Sequence, residues 1–251
     1  MKHKIKSEII IISKSKFFIW IIIGELILMT YNAFKVGMQM QVPVEGGYYT
    51  YILMSLTYLL GIILPIAIGG FLGGFDEQET MIEYKLCNQS RNHWLVSKFM
   101  AMFVMLFGFL LLLTGIGLVV DMMKGTIDGN LGSNILLIFQ RFLVIFVIWL
   151  FWGIFSFGIG LLFESPVGSV IFSLALYFGE QYIGRYIKLT YGILWNQKSI
   201  EYYFFHNDTV PFGVVQSSYE NVMKSSAYLV LIMVLVCIVS FTYLKKKYPN
   251  K

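Results

Sequence analysis

Six long apolar runs are the feature that most constrains how this chain folds. They cover residues 17–34, 50–72, 95–120, 135–163, 166–182 and 227–244. A helix rises about 1.5 Å per residue, so about 20 apolar residues cross the hydrocarbon core of a bilayer. Backbone polar groups within lipid must pair inside the chain, so runs of this length predict helices. We therefore expect an all-α integral membrane protein with six transmembrane helices, built as a single transmembrane domain over residues 1–251.

The composition agrees with a location in a bilayer. Hydrophobic residues make up 57% of the chain and charged residues 13%, whereas an ordinary soluble domain has about 25% charged residues. A core of this size cannot hide so much apolar surface from water. We expect a multi-pass protein of the cell (plasma) membrane whose main environment is the lipid bilayer, with no nucleic-acid partner.

The distribution of Lys and Arg predicts the orientation. With both termini in the cytoplasm, twelve of the 19 basic residues lie on the cytoplasmic side. They are Lys2, Lys4, Lys6, Lys14, Lys16, Lys85, Arg91, Lys98, Lys245, Lys246, Lys247 and Lys251. Cytoplasmic flanks carry the excess of positive charge in membrane proteins, and the short outer flanks here carry almost none. The N- and C-termini are therefore both expected in the cytoplasm.

Two terminal or loop regions have a pattern of their own. In residues 1–16, Ile5, Ile9 and Ile12 recur at helical spacing among lysines, which predicts an N-terminal interfacial helix lying on lipid phosphates. The alternative is a basic flank that only sets the topology. Residues 184–226 form a long external segment with enough apolar residues for short helices on the outer membrane surface.

Sequence motifs for covalent chemistry are missing. The chain contains no G-x-x-x-x-G-K-[ST], no H-E-x-x-H and no G-x-S-x-G. Without a P-loop the chain does not hydrolyse ATP by itself, so we do not expect an enzyme. We expect no catalytic residue, no metal and no cofactor bound by this chain.

The cytoplasmic segment 75–92 joins the second and third apolar runs and is too long for a simple turn. Acidic residues crowd its start, where they suit the positive end of a helix, and apolar residues follow. The candidate contact residues are Glu77, Glu79, Met81, Glu83, Tyr84, Leu86 and Arg91. This pattern favours a short projecting helix. A solvated acidic loop without a partner is the alternative.

The layout resembles the permease subunit of ABC-2 type exporters. Between spans two and three that family has an aromatic residue, an acidic residue and Thr, then Ser-Arg and a Lys that opens span three. The matching residues here are Phe75, Glu79, Thr80, Ser90, Arg91 and Lys98. The family often has Gly before the Thr and Pro before the Ser-Arg, whereas this chain has Glu79 and Gln89 there.

The resemblance implies partners and a function. Segment 75–92 would be a coupling helix on cytoplasmic ABC ATPase subunits, which would bind ATP and Mg. The turn at Glu164 would face the same ATPase, or be a turn and nothing more. A second copy or a paralogue would complete a dimer.

The composition resembles permeases of Gram-positive bacteria that export amphipathic peptides such as lantibiotics and phenol-soluble modulins. This implies an amphipathic peptide cargo. The alternatives are an ATP-independent membrane protein that binds peptides for immunity, and an intramembrane enzyme.

Two ionisable residues lie at membrane depth. Glu25 is eight residues into the first run, and Arg141 is six residues into the fourth. Such residues usually face the interior of a helical bundle. Glu25 either contacts a cationic or amphipathic cargo or is satisfied internally, by an ion pair or by a hydrogen bond to Tyr or Ser. Arg141 can be its partner or can reach outward along its long stem.

Overall fold

A computed structural model describes residues 9, 16–37, 44–45, 47–59, 61–74, 91–125, 127–128, 131–183, 193 and 219–247. These residues form seven α-helices and two short strands. The helices are α1 (Lys16–Gly37), α2 (Tyr48–Leu59), α3 (Ile63–Gly74), α4 (Arg91–Lys124), α5 (Leu131–Phe163), α6 (Pro166–Ile183) and α7 (Tyr219–Lys247). Strands β1 (Val44–Glu45) and β2 (Ile127–Asp128) pair in parallel.

The expectation of an all-α membrane protein is confirmed at this level. In the described part of the chain, α4, α5 and α7 are long and apolar enough to cross a bilayer, and shorter apolar stretches lie in α1, α3 and α6. Large apolar side chains are exposed along α7. They include Val230, Leu231, Val234, Leu235 and Ile238. Such a surface suits contact with lipid.

Three expected segments lie largely outside the described residues. Of residues 1–16, the structure describes Ile9 and Lys16, and Lys16 begins α1. Of segment 75–92, it describes the two residues that begin α4. Of the external segment 184–226, it describes Ile193 and residues 219–226, which form the first two turns of α7. The last helix thus begins eight residues before the apolar run at 227–244.

The second apolar run, expected as one helix over 50–72, is two helices. The structure ends α2 at Leu59 and begins α3 at Ile63. Proline lacks an N–H, and its ring collides with the carbonyl four residues earlier, so Pro65 favours a break near Gly61. The first turn of a helix tolerates proline. Helical hydrogen bonding resumes where the N–H of Ile66 donates to the Ile62 carbonyl, four residues earlier.

Helix α3 is the centre of the bundle and is buried from Leu64 to Gly74. Its backbone lies directly on α5, because a Cβ atom at Gly69 or Gly73 would overlap the carbonyl of Gly153 or Phe157. Small residues allow this close approach between helices in membranes. The Ser156 hydroxyl also donates to the Ile66 carbonyl at 2.8 Å.

The contacts between helices give their relative directions. Gly69 approaches Gly153 and Gly73 approaches Phe157, so α3 and α5 run parallel. Gly158 lies beside Val236 and Glu164 beside Tyr243, so α7 runs in that direction too. The ring contacts Phe99–Phe157 and Phe103–Phe146 make α4 antiparallel to α5. We call the end of the bundle that holds Gly74, Glu164 and Tyr243 the Glu164 end, and the other the distal end.

Candidate functional site

Glu25 lies deep in the bundle. It is nine residues after Lys16 on α1, about 14 Å along the helix. Its side chain is only 8% exposed, and neither carboxyl oxygen has a hydrogen-bond partner among the described residues. The backbone amide of Leu64 faces the carboxyl without completing a hydrogen bond of normal geometry.

The amide that faces Glu25 belongs to the first turn of α3. N–H groups in this turn have no partner within their own helix, and they form the positive end of the helix dipole. Pro65 has no N–H, and the N–H of Ile66 donates to Ile62. The break between α2 and α3 therefore places Leu64 as a backbone donor beside a buried carboxyl.

Arg141 lies elsewhere, with its own contact. It is 8% exposed on α5, and its guanidinium carbon lies 4.8 Å from the ring centroid of Tyr51 on α2. A guanidinium over an aromatic ring is a favourable cation–π geometry. The structure thus does not join Glu25 and Arg141 in an ion pair; each lies against a different half of the broken run.

Sequence reasoning missed Asp121, a buried carboxylate that accepts three hydrogen bonds from the start of α2. Asp121 is fully buried near the end of α4. Oδ1 accepts the N–H of Tyr49 at 2.8 Å, and Oδ2 accepts the N–H and hydroxyl of Thr50 at 2.8 and 2.6 Å. The carboxylate therefore caps α2 from another helix. Asp121 directly follows an apolar run, and a carboxylate in that position indicates a buried hydrogen-bond partner. The residues around Asp121 in the sequence do not identify Thr50 as that partner.

Two glycines make this cap possible. Gly47 has a φ of 84°, a conformation that favours glycine, and a Cβ there would overlap the Asp121 carboxylate. A Cβ at Gly117 would lie 2.8 Å from the Cα of Thr50. The start of α2 is thus held close against the last turns of α4, at the distal end.

Most candidate coupling residues lie outside the described part of the chain. These are Glu77, Glu79, Met81, Glu83, Tyr84 and Leu86. Arg91 is described as the first residue of α4. Just after it, Lys98 is 2% exposed, and its ammonium lies 5.3 Å from the ring centroid of Trp94. The Lys that opens the third apolar run is therefore buried.

Glu164 is described, and it joins the last helix. It lies in the turn between α5 and α6 with a φ of 53°, and it accepts the Tyr243 hydroxyl from α7. The next residue caps α6, because the Ser165 hydroxyl accepts the N–H of Gly168 at 3.1 Å. Hydrogen bonds to α7 and to α6 thus hold the turn on both sides.

An apolar cleft of about 210 Å³ lies between α5 and α7, toward the distal half. We call it the α5–α7 cleft. Its lining residues are Leu143, Val144, Val147, Ile148, Phe151, Ser226, Leu229, Val230 and Met233. Several of these side chains are half exposed, so in a bilayer the cleft opens to lipid.

No cluster of three His, Cys, Asp or Glu side chains suitable for a metal ion occurs among the residues that the structure describes. No protein-family model, curated protein or solved structure matches this chain. The resemblance to ABC-2 permeases therefore rests on the order of apolar helices and on the residues of segment 75–92.

Proposed function

We propose that this chain is the transmembrane permease subunit of an ATP-driven exporter of the ABC-2 type. It would cross the plasma membrane six times with both termini in the cytoplasm. Separate ABC ATPase subunits would bind ATP and Mg, and a second copy or a paralogue would complete the pathway. The cargo would be an amphipathic peptide moved out of the cell.

One observation carries the proposal: the helices on either side of segment 75–90 both pack against Phe157 of α5. Before the segment, Gly73 of α3 packs against the backbone of Phe157. After the segment, the rings of Trp94 and Phe99 on α4 lie 6.4 and 5.1 Å from the Phe157 ring. A partner that pushes on the segment would therefore move three helices together, as an ATPase-driven permease requires.

A second cytoplasmic contact is available at the same end. Gly74, the last described residue before segment 75–90, lies beside Ser165 and Pro166, next to the Glu164 turn. Tyr243 ties this turn to α7, and Lys245 and Lys246 follow as exposed residues. Their positive charge favours a cytoplasmic location for the Glu164 end, and the alternating directions of α3, α4 and α5 agree with successive crossings.

The cargo class is supported by the α5–α7 cleft. Its lining is apolar apart from Ser226, and several of its lining side chains are half exposed. The apolar face of an amphipathic helix could enter such a cleft sideways from the bilayer.

The test is a double truncation in segment 75–92. We expect Tyr84→Ala with Met81→Ala to release the ATPase subunits or to abolish cargo-stimulated hydrolysis in nanodiscs, since losing an interface anchor commonly costs about 2 kcal/mol or more. Tyr31→Ala with Met122→Ala removes the same residue types from exposed positions and serves as the matched control.

Insertion into the membrane and dimerisation should survive in both double variants. Retention of the ATPase and of stimulated hydrolysis in the Tyr84/Met81 variant would favour the ATP-independent peptide-binding or immunity protein.

A further inference from the structure

Glu25 and the first turn of α3 form a two-part arrangement inside the bundle. The carboxyl is more than nine-tenths buried, with no hydrogen-bond partner for either oxygen among the described residues. It faces the amide of Leu64, at the point where the second apolar run is broken. A buried helix start and a buried, unbonded carboxyl thus meet at one place.

Two opposing effects act on this carboxyl. An ionised carboxylate within a membrane is unfavourable when it is unpaired, and binding a proton reduces that cost. A helix N-terminus stabilises a nearby negative charge. The two effects oppose each other, so the protonation state of the carboxyl depends on its contact with the first turn of α3.

We propose that Glu25 is a proton-binding site in the membrane interior, with two states defined by the first turn of α3. In one state the carboxyl carries the proton and is neutral, which agrees with its lack of hydrogen-bond partners among the described residues. In the other, the proton has passed to water or buffer of the surrounding solution, and the carboxylate accepts the Leu64 N–H. The O–H bond of the carboxyl is broken, a new bond to the proton forms on the water or buffer, and one N–H···O hydrogen bond forms, so the contact between α1 and α3 changes with proton concentration.

The residues around Glu25 favour a proton over a bulky cationic group as the ligand of its carboxyl. The side chain is 8% exposed, which leaves little access for a lysine or arginine of a cargo. Helix α3 carries no titratable side chain, and the titratable residues of α2 are all tyrosines: Tyr48, Tyr49, Tyr51 and Tyr58. The basic residues of α1, Lys16 and Lys35, lie nine and ten residues away. Arg141 of α5 lies over Tyr51.

The experiment uses the full chain, purified in nanodiscs without ATPase or cargo, so its outcome is independent of the proposed exporter function. Infrared difference spectra between acid and alkaline buffers report the carbonyl stretch of protonated carboxylic acids. We expect a band of a weakly hydrogen-bonded acid that is lost on alkalinisation. Glu25→Gln should remove this band, and Glu25→Asp should retain it at a shifted frequency. Glu180→Gln is the control, because Glu180 accepts the N–H of Ile193 at 3.2 Å.

Two results would overturn the inference. The first is a wild-type spectrum that either has no titrating band or has only titrating bands that persist in Glu25→Gln. If Glu25→Gln does not assemble, a titrating band that keeps its frequency in Glu25→Asp counts equally against the inference. The second is a band that disappears when sodium is raised at constant pH, because a metal cation would then be the ligand instead of a proton. The protection factor of the Leu64 amide, which is the exchange rate corrected for its base-catalysed intrinsic rate, should rise in alkaline buffer in the wild type and stay unchanged in Glu25→Gln.

Discussion

Thr50 donates two hydrogen bonds to one oxygen of Asp121, across 71 residues of sequence. Its N–H and its hydroxyl reach Oδ2 at 2.8 and 2.6 Å, and the N–H of Tyr49 reaches Oδ1. The start of α2 would otherwise bury several N–H groups without partners. The parallel pairing of β1 with β2 lies in the two loops beside this cap, so the distal ends of α2 and α4 are joined twice.

We predict that Asp121→Asn destabilises the protein by about 2–4 kcal/mol. An amide presents one acceptor oxygen and turns an NH2 group toward backbone donors, so charge-assisted bonds are lost inside the bundle. Thr50→Val, which removes only the hydroxyl bond, should cost about 1.5 kcal/mol. The measurement is the unfolding midpoint of the purified chain in nanodiscs. Met122→Ala, at the exposed next residue, is the control, and an equal midpoint for Asp121→Asn and Met122→Ala would contradict the cap.

Gly73→Ala and Gly108→Ala should have opposite effects. The added methyl at Gly73 would overlap the Phe157 carbonyl, whereas at Gly108 it would meet no atom within 4 Å apart from its chain neighbours and the nearby backbone of its own helix. Overpacking costs about 1–3 kcal/mol, and replacing a helical glycine by alanine at an open position gains up to about 1 kcal/mol. Thermal unfolding of both variants in the same lipid gives the comparison. A Gly73→Ala protein as stable as the wild type would show that α3 does not lie directly on α5.

The bond from Tyr243 to Glu164 should appear as a coupling energy of about 0.5–1.5 kcal/mol. The variants are Tyr243→Phe, Glu164→Gln and the double variant, and unfolding is measured for all three. Because both residues lie at the surface of the bundle, we expect each single change to be mild. Strict additivity would mean that the contact contributes nothing to the attachment of α7.

Cysteine labelling tests the proposed orientation. With Cys87 and Cys237 replaced by serine, a single cysteine at Ser7 or Asn250 should react with an impermeant reagent only after permeabilisation. A cysteine at Asn207 should react in intact cells. Labelling of position 207 only from the inside would reverse the orientation, and the Glu164 end would then face outward.

The sequence by itself determined that this chain is helical and belongs in a bilayer. Runs such as 135–163 leave little choice, because a backbone surrounded by lipid must pair its polar groups within its own helix. This is a local requirement, so it can be predicted from local composition, and α5 ends at Phe163 as expected. The break of the second run also had a local cause in Pro65, although a count of apolar residues does not detect it.

Only the tertiary structure decided which buried polar groups meet. Glu25 and Arg141 were the conspicuous charges of the sequence, yet they lie against different neighbours, Leu64 and Tyr51. Asp121 reaches Tyr49 and Thr50 because Gly47 and Gly117 leave room for α2 and α4 to approach closely. Such contacts depend on how helices pack. Hydropathy predicts that a helix enters the membrane, but it does not predict which face of the helix contacts which neighbour.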